Sequence, residues 1–300
     1  MRRPRHLAPA LAASMALAAC APGGPSAPAA DETLGVVAST NVYGDIAATI
    51  GGDAVAVTSI VSEPSQDPHS YEGDTRSVLS VSEADVVIEN GGGYDDFIDR
   101  MLASGDSDPV VLNAVDIAGY AAAAGAEPNE HVWYDVVTMS ALADEIAAAL
   151  GDADAANADT YVRNAEAFDE ELTALVGQQE ALRRRHAGEP VGITEPVPVY
   201  LLEAIGLDVV TPEAFSEAIE EGDDVSVAVL QETLRQYRDH EVEALVLNEQ
   251  TSGPITDQVG AAAEEAGVPV VPVTETLPEG ETYLSWMKAN LDSIGSALEQ

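Results

Sequence analysis

Short, uniformly apolar runs separated by amphipathic segments recur along most of this chain. Leu34-Gly35-Val36-Val37-Ala38 reads as a buried strand, followed by a helical pattern from Tyr43 to Ile50 that stops at Gly51-Gly52. Val55 to Val61 and Val86-Val87-Ile88 are two further strands. Helical periodicity covers Arg76 to Ser82 between them and Tyr94 to Ala103 after the second. Strands without polar alternation, interleaved with helices, predict a parallel sheet covered on both faces. An amphipathic helix from Thr138 to Leu150 precedes a longer helical pattern from Asp159 to His186, which holds no proline and one glycine. Alternation then resumes with strands at Val191–Thr194, Ala244–Leu247 and Val268–Val273, a helix at Ile255–Ala266 and a closing helix from Tyr283. The expected fold class is α/β: two lobes, each a mostly parallel sheet flanked by helices, bridged by one long helix. The divisions are 34–150 for the N-terminal lobe, 151–188 for the linking helix and 189–300 for the C-terminal lobe.

The first residues change the picture of where the protein works. Arg2, Arg3 and Arg5 precede an uncharged run from Leu7 to Ala19 and then Leu17-Ala18-Ala19-Cys20, the form of a lipoprotein signal peptide over 1–19 with Cys20 as its lipidated first mature residue. Residues 20–33, rich in Pro, Ala and Gly, read as a flexible tether. No other stretch approaches the roughly 20 apolar residues that cross a bilayer. The expectation is an extracytoplasmic protein held at the membrane by lipid and not spanning it. Cys20 is the one cysteine, so neither a disulfide nor a thiolate metal site is available to the folded body.

Fifty-three acidic residues face 12 basic ones, for a net charge of -41, and Lys288 is the only lysine. Such a field repels phosphate and excludes nucleic acid as a partner. The acidity reads chiefly as a solvated surface suited to high salt, where self-repulsion is screened. It draws cations near but selects none.

Candidate chemistry lies at the ends of strands, the edge where open α/β sheets bind ligands. His69 follows the second strand in Gln66-Asp67-Pro68-His69-Ser70-Tyr71, where proline stiffens the loop. His131 lies in Asn129-Glu130-His131-Val132-Trp133-Tyr134-Asp135; the two aromatics can pack on its ring, and Asp135 can cap the next helix. Glu195 follows the strand Val191–Thr194 beside Pro196, and Glu275 follows the strand that ends at Val273. Taken singly, such histidines are ordinarily surface or satisfied core, and such glutamates are common in so acidic a chain. Gly91-Gly92-Gly93 lacks the Lys-Ser/Thr of a phosphate loop and reads as a tight turn. Arg183-Arg184-Arg185-His186 opposes the macrodipole at the end of the long helix, and His240 lies on a charged, solvated segment.

Together, Asp67-Pro68-His69, Glu130-His131-Val132-Trp133-Tyr134-Asp135, Glu195 after a strand, and Val273-Thr274-Glu275 followed by Tyr283-Leu284-Ser285-Trp286-Met287 resemble the zinc/manganese ABC-transporter solute-binding proteins, the cluster A-I lipoproteins. The resemblance spans essentially the whole mature chain. It implies two α/β lobes bridged by a long helix, with one Zn2+ or Mn2+ held between them by His69, His131, Glu195 and Glu275. The third ligand of the family is a His in zinc-type members and a Glu in many manganese-type ones, and here it falls on Glu195. The fourth is usually an Asp, so Glu275 is a departure. Residues 70–130 contain no histidine, unlike the His-rich loop of many zinc-type members. The implied partners are a transmembrane ABC permease with its cytoplasmic ATPase, and the implied carrier is a monomer that catalyses nothing. Two other functions compete: a secreted zinc hydrolase, which would need an open coordination position and a general base that HExxH-type spacing does not supply here, and a two-lobed binder of an organic ligand such as a siderophore, which would need more aromatic lining.

Overall fold

The computed structural model describes residues 33–300 except 64, 65, 67, 70, 106 and 121–128. The signal peptide, Cys20 and all of the tether before residue 33 lie outside the described residues. In chain order the elements are β1 (Leu34–Thr40), α1 (Asn41–Gly51), β2 (Val55–Val61), α2 (Thr75–Ser82), β3 (Val86–Glu89), α3 (Phe97–Ser104), β4 (Val110–Asn113), α4 (Ala114–Ala118), α5 (Val136–Ala153), α6 (Ala158–His186), β5 (Pro190–Ile193), α7 (Val199–Ala204), β6 (Asp208–Val209), α8 (Glu213–Glu220), α9 (Val227–Arg238), β7 (Ala244–Asn248), α10 (Pro254–Ala266), β8 (Val270–Val273) and α11 (Tyr283–Ala297).

The strands form two four-stranded sheets, β2-β1-β3-β4 and β6-β5-β7-β8, with every pairing parallel. Each sheet therefore has the same spatial order relative to its own chain direction, and the order reverses beside its first strand. The central strands β1, β3, β5 and β7 are largely buried on both faces, and their successive side chains, which point oppositely, enter different cores. Val36, Ala38, Val86 and Ile88 enter one core, while Val37 and Val87 enter a second with Phe97, Ile98 and Met101. In the other sheet Ala244 and Val246 face the first core and Leu245 faces a third, with Phe215, Tyr237 and Val259. The core that receives one face of both sheets is a single continuous cluster, which also takes in the long helix.

That helix, α6, buries Tyr161, Ala165, Phe168, Leu172, Leu175, Gln179, Leu182 and His186. Spacings that alternate between four and three keep one stripe facing inward over 29 residues. Its N-terminal half packs on α1 and α5, and further along Leu182 lies against Gly295 of α11, where an added Cβ would meet it at 2.8 Å. The helix thus shares its apolar stripe with both halves of the molecule. No described helix is long and apolar enough to cross a membrane.

Several boundaries differ from the pattern for local reasons. β8 begins at Val270, not Val268, because the Val268 N–H closes the end of α10 on the Ala263 carbonyl and Pro269 has no N–H to give. α3 begins at Phe97 because Gly91, Gly92 and Gly93 all take positive φ and spend the intervening residues in turns. β4 and β6 are edge strands not among those expected: Val110 and Val111 of β4 are exposed, and β6 has two residues.

Asp135 caps α5 by accepting the N–H of Val137 at 3.1 Å and of Thr138 at 3.2 Å, along with the hydroxyls of Thr138 (2.7 Å) and Tyr120 (2.6 Å). Asp135→Ala removes all of these acceptors. The expected cost is about 1–2 kcal/mol, read in thermal denaturation as a fall in melting temperature of about 2–4 °C per kcal/mol. An unchanged melting temperature would show that water replaces the cap at no cost.

Candidate metal centre

The C-terminal edges of the two sheets supply the polar groups that meet between the halves. From the N-terminal half come two imidazoles. His69 lies on the loop after β2, with its ring edge-on to Tyr94 at 5.0 Å. Tyr94 is carried there by the glycine turn after β3, where a Cβ on Gly91 would strike the Asn113 side chain at 2.3 Å. His131 precedes a single 3-10 turn, Val132–Tyr134, and is wholly buried, 5.0 Å from the Trp133 ring and 6.1 Å from Tyr94.

The tautomer of His131 follows from its neighbour. Asn129 Oδ1 accepts the backbone N–H of His131 at 3.1 Å, while Asn129 Nδ2 donates to the Pro196 carbonyl at 2.9 Å, so the orientation of this amide is fixed at both ends. His131 Nδ1, 2.7 Å from the same Oδ1, must be the protonated donor. Its Nε2 is left to face the interior as a lone-pair ligand, the arrangement in which an outer hydrogen bond orients a metal-binding imidazole. Asn129 also ties this loop to the residue following Glu195, and the Tyr200 hydroxyl donates to the Asn129 carbonyl at 2.7 Å.

Three carboxylates approach from the C-terminal half. Glu195, 2% exposed, follows β5, where the Thr194 hydroxyl accepts the Asn248 N–H at 2.9 Å. Glu275, 7% exposed, follows β8; its Oε1 accepts from Asn248 Nδ2 at 2.7 Å, its Oε2 from the Tyr94 hydroxyl at 3.3 Å, and its backbone N–H donates to Gln250 Oε1 at 2.6 Å. The third is Glu220, the last residue of α8. Its Oε1 lies 3.1 Å from His69 Nε2 and 3.3 Å from His131 Nε2, the second contact without hydrogen-bond alignment. Glu130 Oε1 is 3.9 Å from His69 Nε2, and one ligand atom each from His69, Glu130 and Glu220 all lie within 4.8 Å of one another.

The electrostatics are those of a crowded anionic site. Burial alone would lower the His69 pKa, but the hydrogen bond and charge of Glu220, with the charges of Glu275 and Glu130, outweigh it and push the imidazole up to about 9. His131 is raised by the same balance: burial opposes, and Glu220, Glu130 and Glu275 prevail. Glu220 answers in the other direction, since burial would raise it but the two imidazoles hold it down at about 2. Glu195 is pushed up to about 8, first by burial and then by the charge of Glu220. Burial also raises Glu275, with the nearby imidazoles opposing. Buried atoms without a hydrogen-bond partner gather here: His131 Nε2, Glu195 Oε2 and Glu220 Oε2. Each such group costs about 1–3 kcal/mol in a dry interior. A divalent cation beside the imidazoles would satisfy His131 Nε2 and the carboxylate of Glu220, so the donor set around His69, His131, Glu130 and Glu220 fits a metal ion.

Of the residues singled out in the sequence, His69 and His131 meet on the same oxygen. Glu275 is joined to them through Tyr94 and by charge, and Glu195 by its interaction with Glu220 and Glu275. Glu220 and Glu130 were not among the candidates. Glu130 carries a signal in its adjacency to His131. Glu220 carries none: it is one of 53 acidic residues, in an acidic helix far from any strand end.

Comparison with known proteins identifies the family of the chain. The profile of the family described as "Zinc-uptake complex component A periplasmic" matches residues 36–297. The chain is 28% identical, over 100% of both proteins, to the metal ABC transporter substrate-binding lipoprotein ScbA of Streptococcus cristatus. It is 27% identical, over 90% of each, to the manganese-binding lipoprotein MntA of Halalkalibacterium halodurans. Among solved structures, the solute-binding protein FpvC of Pseudomonas aeruginosa in complex with Mn2+ superposes with a TM-score of 0.73 at 25% identity, covering 89% of this chain and 99% of that one. The Cd-bound periplasmic metal-binding protein of Candidatus Liberibacter asiaticus gives 0.71 at 20% identity, over 88% and 98%, a likeness of fold. With two parallel sheets, histidines and carboxylates gathered between them, and a family profile running through nearly all described residues, the chain belongs to the zinc-uptake component A family of metal-binding, substrate-binding proteins of ABC importers.

Proposed function

We propose that this protein captures one Zn2+ or Mn2+ between its two lobes through His69, His131, Glu195 and Glu275, and surrenders it to a transmembrane permease driven by a cytoplasmic ATPase. It works outside the cytoplasm as a monomer, anchored by lipid on Cys20 and tethered by residues 20–33, with lobes 34–150 and 189–300 on either side of the linking segment 151–188. No step of catalysis is part of this role. The observation that carries the reading is the convergence of His69 Nε2 and His131 Nε2, from loops 62 residues apart, within 3.1 and 3.3 Å of one oxygen. Imidazole nitrogens with carboxylate oxygens suit both zinc and manganese. Two neutral imidazoles and two carboxylates sum to -2, which a divalent cation neutralises in a buried site.

The continuous core shared by both halves, and hydrogen bonds such as Tyr134 Oη to the Thr274 carbonyl (2.7 Å) and Tyr283 Oη to the Trp133 carbonyl (2.8 Å), favour a carrier whose lobes shift little. Release then depends on a permease that distorts the ligand cage. A zinc hydrolase and an organic-ligand binder lose ground to the manganese and metal importers among the relatives. The test is elemental analysis of protein purified without added metal, followed by competition between Zn2+ and Mn2+. About one equivalent of a transition metal per chain, exchangeable in competition, is expected. Metal-free protein that takes up neither ion would overturn the reading.

A further inference from the structure

Glu220 belongs to no strand end, yet one of its carboxylate oxygens lies within 3.3 Å of the Nε2 atoms of both histidines. Two donors bound side by side on a first-row cation with bonds near 2.1 Å stand about 3.0 Å apart at a right angle and about 3.4 Å apart at the tetrahedral angle. Glu220 Oε1 stands 3.1 Å from His69 Nε2 and 3.3 Å from His131 Nε2, within that interval for both. The contact with His131 lacks hydrogen-bond alignment, and Glu220 Oε2, buried in a side chain 10% exposed, has no partner among the described residues. A carboxylate used only to pair with the imidazoles would not leave these atoms unsatisfied in the interior. α8 holds Glu220 in place from within the C-terminal half: Phe215, one turn and a half earlier, is fully buried in the core with Tyr237 and Leu245.

We propose that Glu220 is a fifth metal ligand, added by α8 to His69, His131, Glu195 and Glu275, and that its oxygen biases the carrier toward Mn2+ over Zn2+. The inference rests on the metal-carrier reading and deepens it. Zn2+ is content with four ligands and favours nitrogen and sulfur, whereas Mn2+ takes more ligands and prefers oxygen. A set of two nitrogens and three carboxylates moves the site in that direction. It leaves one net negative charge with a divalent ion, which the hydroxyl of Tyr94 and the amide of Asn248 help to disperse through Glu275.

The experiment compares the purified full chain in detergent with Glu220→Ala and Glu220→Gln, by calorimetric titration of Mn2+ and chelator competition for Zn2+. Electron paramagnetic resonance of bound Mn2+ counts coordinated water. Expected for Glu220→Ala is a loss of Mn2+ affinity of at least about tenfold, with Zn2+ affinity changed less than about threefold, and extra water on the Mn2+. Glu220→Gln, which keeps the size and one carbonyl oxygen, should lie between and fold as the parent does by circular dichroism. Equal loss for both ions, no loss for either, or tighter binding of both would overturn the proposal, the last by making Glu220 a competitor that the metal displaces. If the parent protein binds neither ion, the carrier reading has failed instead.

Discussion

Replacing His69 and His131 together by alanine is expected to abolish the metal-dependent rise in melting temperature. A ligand that binds only the folded state stabilises it by about 4 kcal/mol at a thousand times its dissociation constant, which corresponds to roughly 8–16 °C for a chain of this size. The double replacement removes every nitrogen donor from the site and leaves carboxylates that repel one another. The comparison must be between metal-free and metal-loaded forms of the same variant. Glu220 is held at about 2 by these imidazoles, so their loss also changes the metal-free protein. Differential scanning fluorimetry with and without Mn2+ or Zn2+ reads the difference. A shift as large as the parent's would move the ligand set elsewhere.

Metal uptake should release protons and strengthen as pH rises. In the metal-free protein His69 holds its proton up to about 9 and His131 is shifted in the same direction, while Glu195 stays protonated to about 8. Each must give up that proton to bind a cation. Glu220, lowered to about 2, is already ionised and contributes nothing to the effect. The folding consequence has the opposite sign for the metal-free protein. The His69 pKa is raised above its unfolded value of about 6.5, so its stabilisation is complete below that value and is lost as pH climbs through about 9. Between pH 6 and 8 affinity is expected to climb by up to about tenfold per pH unit for each proton released. Calorimetry at pH 7 in buffers of different ionisation enthalpy counts those protons directly. One or more released per ion is the expected outcome, and an affinity flat across this range would contradict the protonation states described here.

Much of this was legible in the sequence, for reasons visible residue by residue. β1, β3, β5 and β7 are largely buried on both faces, so each leaves a short apolar run, and α6 leaves a stripe repeated over its whole length. β6 leaves no such run because it spans a single pair of residues, while the apolar Val110-Val111-Leu112 of β4 lies at the sheet edge with both valines exposed. The histidines and Glu275 could be found because each follows a strand or sits beside aromatics that pack on it, as Trp133 does on His131. Glu220 could not. Its position depends on how α8 docks through Phe215, a tertiary fact with no local trace. Asn129, which fixes the tautomer of His131, stands two residues before it in the sequence, but its link to Pro196 joins residues 67 apart and exists only where the two halves meet.

In the proposed carrier one cation is shared by side chains from both lobes. This sharing is tested most directly by a crystal structure of the Mn2+-loaded protein, with anomalous diffraction collected on both sides of the manganese absorption edge. A single strong anomalous peak is expected about 2.0–2.3 Å from the Nε2 atoms of His69 and His131 and from oxygens of Glu195 and Glu275. A peak bound by residues of one lobe only, or no peak between the lobes in protein shown to carry an equivalent of metal, would contradict it.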